Sequence, residues 1–163
     1  MRAVVWAHNS HVGDAAATAM SARGETNLGE LCRREFGEQC YSIGFGTDHG
    51  TVAAAHNWDE PMQIMRVRPA HDASYERLCH DSGTPRFCLP LRGDAVRPLE
   101  REQLERAIGV IYRPETELAS HYFHARLPRQ FDEWIWLDET RAVDALRAPT
   151  SPSAVPDTFP FGV

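Results

Sequence analysis

Lysine is missing from this sequence, and all 17 basic residues are arginine. That absence rules out a Schiff-base lysine, a Walker-type phosphate-binding lysine and a Ser/Lys dyad, because each needs a primary amine. Positive charge in excess is missing as well. With a formal net charge of -6 and a pI of about 5.7 there is no basic field to neutralise phosphates, so nucleic acid is not an expected partner. No apolar run approaches the ~20 residues that cross a bilayer, and the start lacks the long uncharged core of a signal peptide. No membrane partner is expected, and the chain reads as cytoplasmic. Cys32, Cys40, Cys79 and Cys88 form no C-x-x-C pair, which excludes a zinc knuckle or redox motif and leaves reduced thiols, mostly interior. A Gly-x-Ser-x-Gly nucleophile elbow is also lacking, as are an internal repeat and a heptad seam.

What is present suits one α/β domain. The 163 residues, 42% of them hydrophobic, suffice for a single core. Ala3 to Ala7 is a short β-favouring run that predicts a strand ending at His8 and His11. Asn27 predicts a helix cap for Leu28 to Phe36, with Leu28, Leu31, Cys32 and Phe36 on one face and Gly37 as the stop. Cys40 to Phe45 and Thr51 to Ala55 read as strands joined across Gly46-Thr47-Asp48-His49-Gly50, a hairpin-like turn whose glycines have the wrong spacing for a dinucleotide loop. Further helices are expected near Ser74 to His80 and Leu99 to Glu105, and further strands at Phe87 to Leu91, Ile108 to Tyr112 and Trp134 to Leu137. The alternation implies a mixed or mostly parallel sheet flanked by helices. Residues 1–147 form the expected domain. Pro149, Pro152, Pro156 and Pro160 make 148–163 a Pro-rich, flexible tail.

The densest group of functional side chains is Trp6-Ala7-His8-Asn9-Ser10-His11-Val12-Gly13-Asp14. Two imidazoles three apart at a strand end can face one cleft, one as general base and the other as donor to a developing oxyanion. Alternatively, one ring bonds the turn backbone and the other is solvated. An H-x-x-H metal pair is a third reading, but no obvious third and fourth ligands stand nearby. Asn9 and Asp14 are placed to orient an imidazole. Glu25, Glu30 and Asp48 are the nearest acids able to raise one. Arg113, after the Ile108 to Tyr112 run, is placed to bind a substrate oxygen or to pair with Glu115 or Glu117. His121-Tyr122-Phe123-His124 is a second H-x-x-H, flanked by aromatics that favour packing and surface roles.

The run Val-Val-Trp-Ala-His-Asn-Ser-His-Val-Gly-Asp resembles the W-A-H-N-x-H motif of the erythromycin esterase family. Gly29-Glu30-Leu31, Tyr41 to Phe45, the Gly50 turn, Ile108 to Tyr112 and Phe131-Asp132 follow in that family's order, so the resemblance covers roughly residues 1–145, the C-terminal half of the family's domain. It implies an α/β fold and hydrolysis of a macrolide-type lactone or ester by histidine-activated water, with no obligatory metal or other cofactor. Carried over, it matches His8 and His11 to the family's second active-site histidine pair, the expected catalytic residues; the residues themselves add Trp6, Asn9 and Arg113 as expected substrate contacts, with Trp58 beside Trp6 lining an apolar pocket. It also places the family's presumed base histidine and a partner glutamate in an N-terminal half that these residues lack. The expected partners are therefore a small-molecule ester and either that missing half or a second copy of the chain. The alternative to a hydrolase is a non-catalytic module binding a ligand or partner through the same cleft. A metal or haem binder using His8 with His11, His121 or His124 is the remaining reading.

Overall fold

Local signals set the two longest helices. In the computed structural model, which describes residues 2–144, helix α3 spans Leu28–Phe36. Asn27 accepts the Glu30 N–H at 2.9 Å, and Gly37, at φ 53, closes the helix. Glu30 lies in the first turn and Arg33 and Arg34 in the last, each matching the sign of the helix dipole. Helix α4, Tyr75–Asp81, begins where the Ser74 hydroxyl accepts the Arg77 N–H, and it buries Tyr75, Glu76 and Cys79. Four one-turn helices complete the set: α1 Asn9–Val12, α2 Ala19–Ala22, α5 Glu117–Ser120 and α6 Leu127–Gln130. Among the described residues no helix is long and apolar enough to cross a membrane.

The strands are β1 Ile43–Gly46, β2 His49–Ala54, β3 Gln63–Val67, β4 Arg86–Pro90, β5 Gln103–Arg106, β6 Tyr122–Ala125, β7 Glu133–Leu137 and β8 Glu139–Thr140. They form small sheets in the orders β1-β7-β4, β3-β2-β8 and β5-β6. The β1/β7 and β2/β8 pairs are parallel, and the β2/β3, β4/β7 and β5/β6 pairs are antiparallel, so the arrangement is mixed α/β. β7 is central: Trp134 and Trp136 are both fully buried, among Tyr75, Leu91, Leu127 and Phe131. Gly44 and Gly46 sit opposite them in β1. A Cβ on Gly44 would stand 2.7 Å from the Trp134 ring, and one on Gly46 would overlap it. A smaller cluster gathers Ala54, Met65 and Tyr112.

Several expectations from the sequence are corrected. Ala3 to Ala7 forms no strand, because no described residue offers its backbone a ladder partner; Val4 and Trp6 remain 91% and 87% exposed. β1 and β2 form no hairpin, since β1 pairs with the distant β7 and β2 with β3. The helix expected over Leu99 to Glu105 is instead a 3₁₀ segment, Asp94–Glu100, which contains Pro98 and is followed by β5. Ile108 to Tyr112 makes only an isolated bridge, Ile111 with Ala55. Of the four thiols, all free, only Cys79 is buried, and Cys88 is exposed. The Pro-rich stretch 148–163, with its boundary at 147, lies outside the described residues.

Candidate active site

An open cleft of about 1490 Å³ runs between the N-terminal segment, α3 and the β1 edge. Its wall is mostly apolar. Val4, Trp6, Leu28, Phe36, Ile43 and Phe45 all line it and all remain exposed. Trp6 and Phe45 meet at 6.1 Å between ring centroids. Of the apolar face expected for α3, Leu28, Cys32 and Phe36 are therefore turned to this cleft and not to a core, while Leu31 is exposed outside it.

His8 lies on the cleft wall as the N-cap of α1. Its Nδ1 accepts the Ser10 N–H at 3.2 Å and lies 2.9 Å from Ser10 Oγ. The ring proton must then sit on Nε2, which donates to the Ile108 carbonyl at 3.0 Å. Burial lowers the His8 pKa, the bond to Ile108 opposes that shift, and neighbouring His11 reinforces it. The result is a neutral imidazole of one fixed tautomer.

Asn9 also lines the cleft and ties α1 to β1: its Nδ2 donates to the Phe45 carbonyl at 2.7 Å, and its Oδ1 accepts the Phe45 N–H at 3.2 Å. His11 is exposed one helical turn on, its ring centroid 6.4 Å from that of His8, and it is not among the cleft-lining residues. The two rings are thus brought together without sharing the cleft.

Other expected contributors stand elsewhere. The Arg113 guanidinium donates to the His56 carbonyl at 3.0 Å and to Asn57 Oδ1 at 2.9 Å, away from the cleft and from Glu115 and Glu117. Trp58 borders a separate depression of about 350 Å³. His121 is buried, accepting the Arg113 N–H, whereas the side chain of His124 is 61% exposed. Asp14 caps the turn at Ala16, Glu25 pairs with Arg23, Glu30 lies 3.7 Å from Arg34, and Asp48 faces His49 and His80, not His8. Neither H-x-x-H pair gathers a third metal donor among the described residues.

Glu76 and Arg106, which the sequence reading passed over, lie at the floor of the cleft. Arg106 is anchored through its guanidinium to the carbonyls of Thr47, Asp48 and Arg68 and to Glu117. Its N–H donates to Glu76 Oε1 at 2.9 Å, while Glu76 Oε2 is buried without a partner. Burial pushes the Glu76 carboxyl up, against the pull of Arg106. Glu105 is pushed well up by burial and by the charge of Glu76. One signal for Glu76 was available, since it shares the buried face of α4 with Cys79 at i, i+3.

The fold is similar to that of a Bacillus cereus protein, with a TM-score of 0.69 at 18% identity over 84% of this chain. It is also similar to a succinoglycan biosynthesis protein, with a TM-score of 0.66 at 19% identity over 84%. The chain spans 33% of the length of each of these two structures. Residues 1–140, which hold the His8 to His11 run, β1, β7 and the whole cleft wall, match the family model described as Erythromycin esterase, and the chain belongs to that family.

Proposed function

We propose that this chain supplies one wall of an ester hydrolase cleft, which takes a large apolar lactone or ester of the macrolide type and opens it with water. The observation that carries this reading is a neutral, oriented imidazole, His8, on the wall of an apolar cleft of about 1490 Å³. In the reaction the His8 Nε2–H exchanges its bond to Ile108 for one to the ester carbonyl, supporting the negative charge that develops on that oxygen in the tetrahedral intermediate. His11 is the adjacent imidazole able to take up a proton. Trp6, Phe45 and Asn9 form the contact surface for the substrate, and Arg113, bonded to His56 and Asn57 away from the cleft, takes no part in it. The exposed apolar wall is completed by the remaining part of a full-length family fold or by a second copy of the chain. The proposal requires no metal or other cofactor in the cleft.

One observation favours a second reading, a ligand-binding module without turnover: both ring nitrogens of His8 already have partners within the chain. Mass spectrometry of macrolactone ring opening, comparing the chain with His8→Gln and His11→Gln, tests the two. Hydrolysis that falls at least ~100-fold in His8→Gln, the lower range for loss of a positioned acid-base group, supports the hydrolase. Saturable binding with no ring opening supports the binding module, and hydrolysis unchanged in His8→Gln overturns the assignment of His8.

A further inference from the structure

Away from the cleft wall, three segments remote in sequence bring imidazole and carboxylate donors to one point. Asp48 lies in the link between β1 and β2, His49 opens β2, and His80 stands in the last turn of α4. Each offers one ligand atom, and these atoms all lie within 4.8 Å of one another. Both imidazoles approach with Nδ1: His49 Nδ1 is 2.9 Å and His80 Nδ1 3.6 Å from Asp48 Oδ2. Asp138, between β7 and β8, adds a second carboxylate, with Oδ1 2.7 Å from His80 Nδ1.

The scaffold holding these donors is rigid. Asp48 is buried at 2% exposure, and its other oxygen, Oδ1, accepts the Ala70 N–H at 3.0 Å. The Asp138 carbonyl accepts the N–H groups of both Asp48 and His49, and the Asp48 carbonyl accepts from Arg106. Oδ2 of Asp48 is therefore the acceptor left facing both imidazoles.

We propose that Asp48, His49 and His80, with Asp138 beside His80, form a binding site for one divalent transition-metal ion of the zinc class. Two imidazole nitrogens and a carboxylate oxygen are a borderline donor set that suits zinc over magnesium or calcium, which take oxygen ligands alone. In a tetrahedral zinc site with bonds of about 2.0–2.1 Å, neighbouring ligand atoms stand ~3.3 Å apart. The observed separations of 2.9 and 3.6 Å from Asp48 Oδ2 to the two imidazoles bracket that edge length. Three protein ligands join the β1–β2 link and the start of β2 to α4 through the ion, and a water or the neighbouring Asp138 carboxylate completes the tetrahedron. In its absence the same atoms form a His/Asp hydrogen-bond cluster, so the experiment must separate the two.

The test is calorimetric titration of the chelator-stripped full chain with zinc chloride, repeated for His49→Gln, His80→Gln and, as a control, His124→Gln. The expected result is one ion per chain, with affinity in either of the first two variants reduced by more than the ~10–100-fold that loss of an outer-shell partner costs, and unchanged in the control. Nitrogen-15 spectra of the wild-type histidines need no variant and guard against misfolding; zinc is expected to shift the Nδ1 resonances of His49 and His80. Cobalt in place of zinc is expected to give the visible bands of a tetrahedral ion. No stoichiometric binding overturns the proposal. So does binding that persists in both variants with the His49 and His80 signals unmoved, which would assign the ion to thiols or to the His8/His11 pair.

Discussion

Asp132→Ala is expected to remove about 3–5 kcal/mol of stability, the range for breaking a buried ion pair from one side. The carboxylate accepts the Ser42 N–H at 2.7 Å, Arg33 Nη2 at 2.8 Å and Arg92 Nε at 2.7 Å. Leaving the buried Ser42 amide unsatisfied costs about 1–3 kcal/mol, and losing the part-buried Arg33 bond a further ~1.5–3 kcal/mol. The Arg92 side chain is 47% exposed, so solvent screening holds its share below about 1 kcal/mol. With a urea m-value of roughly 2 kcal/mol/M, the unfolding midpoint falls by about 2 M. Burial alone would raise the Asp132 carboxyl, but the bonds from Arg33, Ser42 and Arg92 outweigh it and hold the pKa below the usual range. Its stabilisation is thus fully present above the unfolded carboxylate pKa of about 3.9 and is lost as pH falls through the lower folded value. Urea melts of wild type and variant at several pH values should show a constant gap from neutrality to about pH 5, narrowing below about pH 4. A gap under ~1 kcal/mol at pH 7 would place Asp132 among ordinary surface pairs and refute the reasoning, as would one that does not narrow in acid.

Asn9→Ala breaks both bonds to the Phe45 backbone; a loss of about 1–2 kcal/mol is expected, with α1 loosened from β1 and Trp6 fluorescence shifted. Gly46→Ala drives a methyl group into Trp134, so a melt should show at least ~1–3 kcal/mol of destabilisation with the near-ultraviolet tryptophan signal altered. His8, whose pKa burial lowers, should titrate by proton NMR below the ~6.5 of a free imidazole. Because the unfolded chain then takes up that proton first, His8 makes stability fall as pH drops from about 6.5 through the folded value, and replacing His8 by Gln should flatten that slope.

What could be read from the sequence was what neighbours in sequence decide. Asn27, Gly37 and Ser74 act on residues within one turn, so α3 and α4 were foreseeable to within a residue or two. The apolar runs at β1, β4 and β7 were also visible as strands. Their pairing was not, because the Gly46 to Gly50 turn carries hairpin chemistry while β1 pairs with β7, fixed by the fit of Gly44 and Gly46 against Trp134. His8 and Asn9 were recognisable as the cleft residues of a motif. The outward turn of His11 was not, because the motif was expected on a strand end and instead starts a one-turn helix. Glu76 with Arg106, and Asp48 with His80, meet only through tertiary folding and leave almost no local trace.

The state of His8 is set far from its own helix, and this has a consequence for how the cleft is tuned. Its proton is held on Nε2 by the Ile108 carbonyl, so whatever fixes Ile108 fixes the tautomer. The segment Ala107 to Arg113 belongs to no sheet. Two bonds to Ala55 hold its middle, and buried His121 grips both ends. The His121 Nε2 accepts the Arg113 N–H at 2.9 Å, which leaves Nδ1–H to donate to the Ala107 carbonyl at 3.3 Å. Burial lowers the His121 pKa, so the neutral form that can accept at Nε2 persists at neutral pH. His121→Phe fills the space but removes both ring bonds, leaving the Ala107 N–H on the residue 121 carbonyl at 2.8 Å, and the bond from His8 to Ile108, which raises the His8 pKa, should weaken as the Arg113 end loosens. The expected reading is a further fall in the His8 titration midpoint and an altered Nε2 resonance, in a variant whose Trp134 and Trp136 environment is intact. If His8 titrates as in the wild type, the Ile108 carbonyl is positioned by the backbone bonds to Ala55 and to the His121 carbonyl, and the His121 ring is only a packing group.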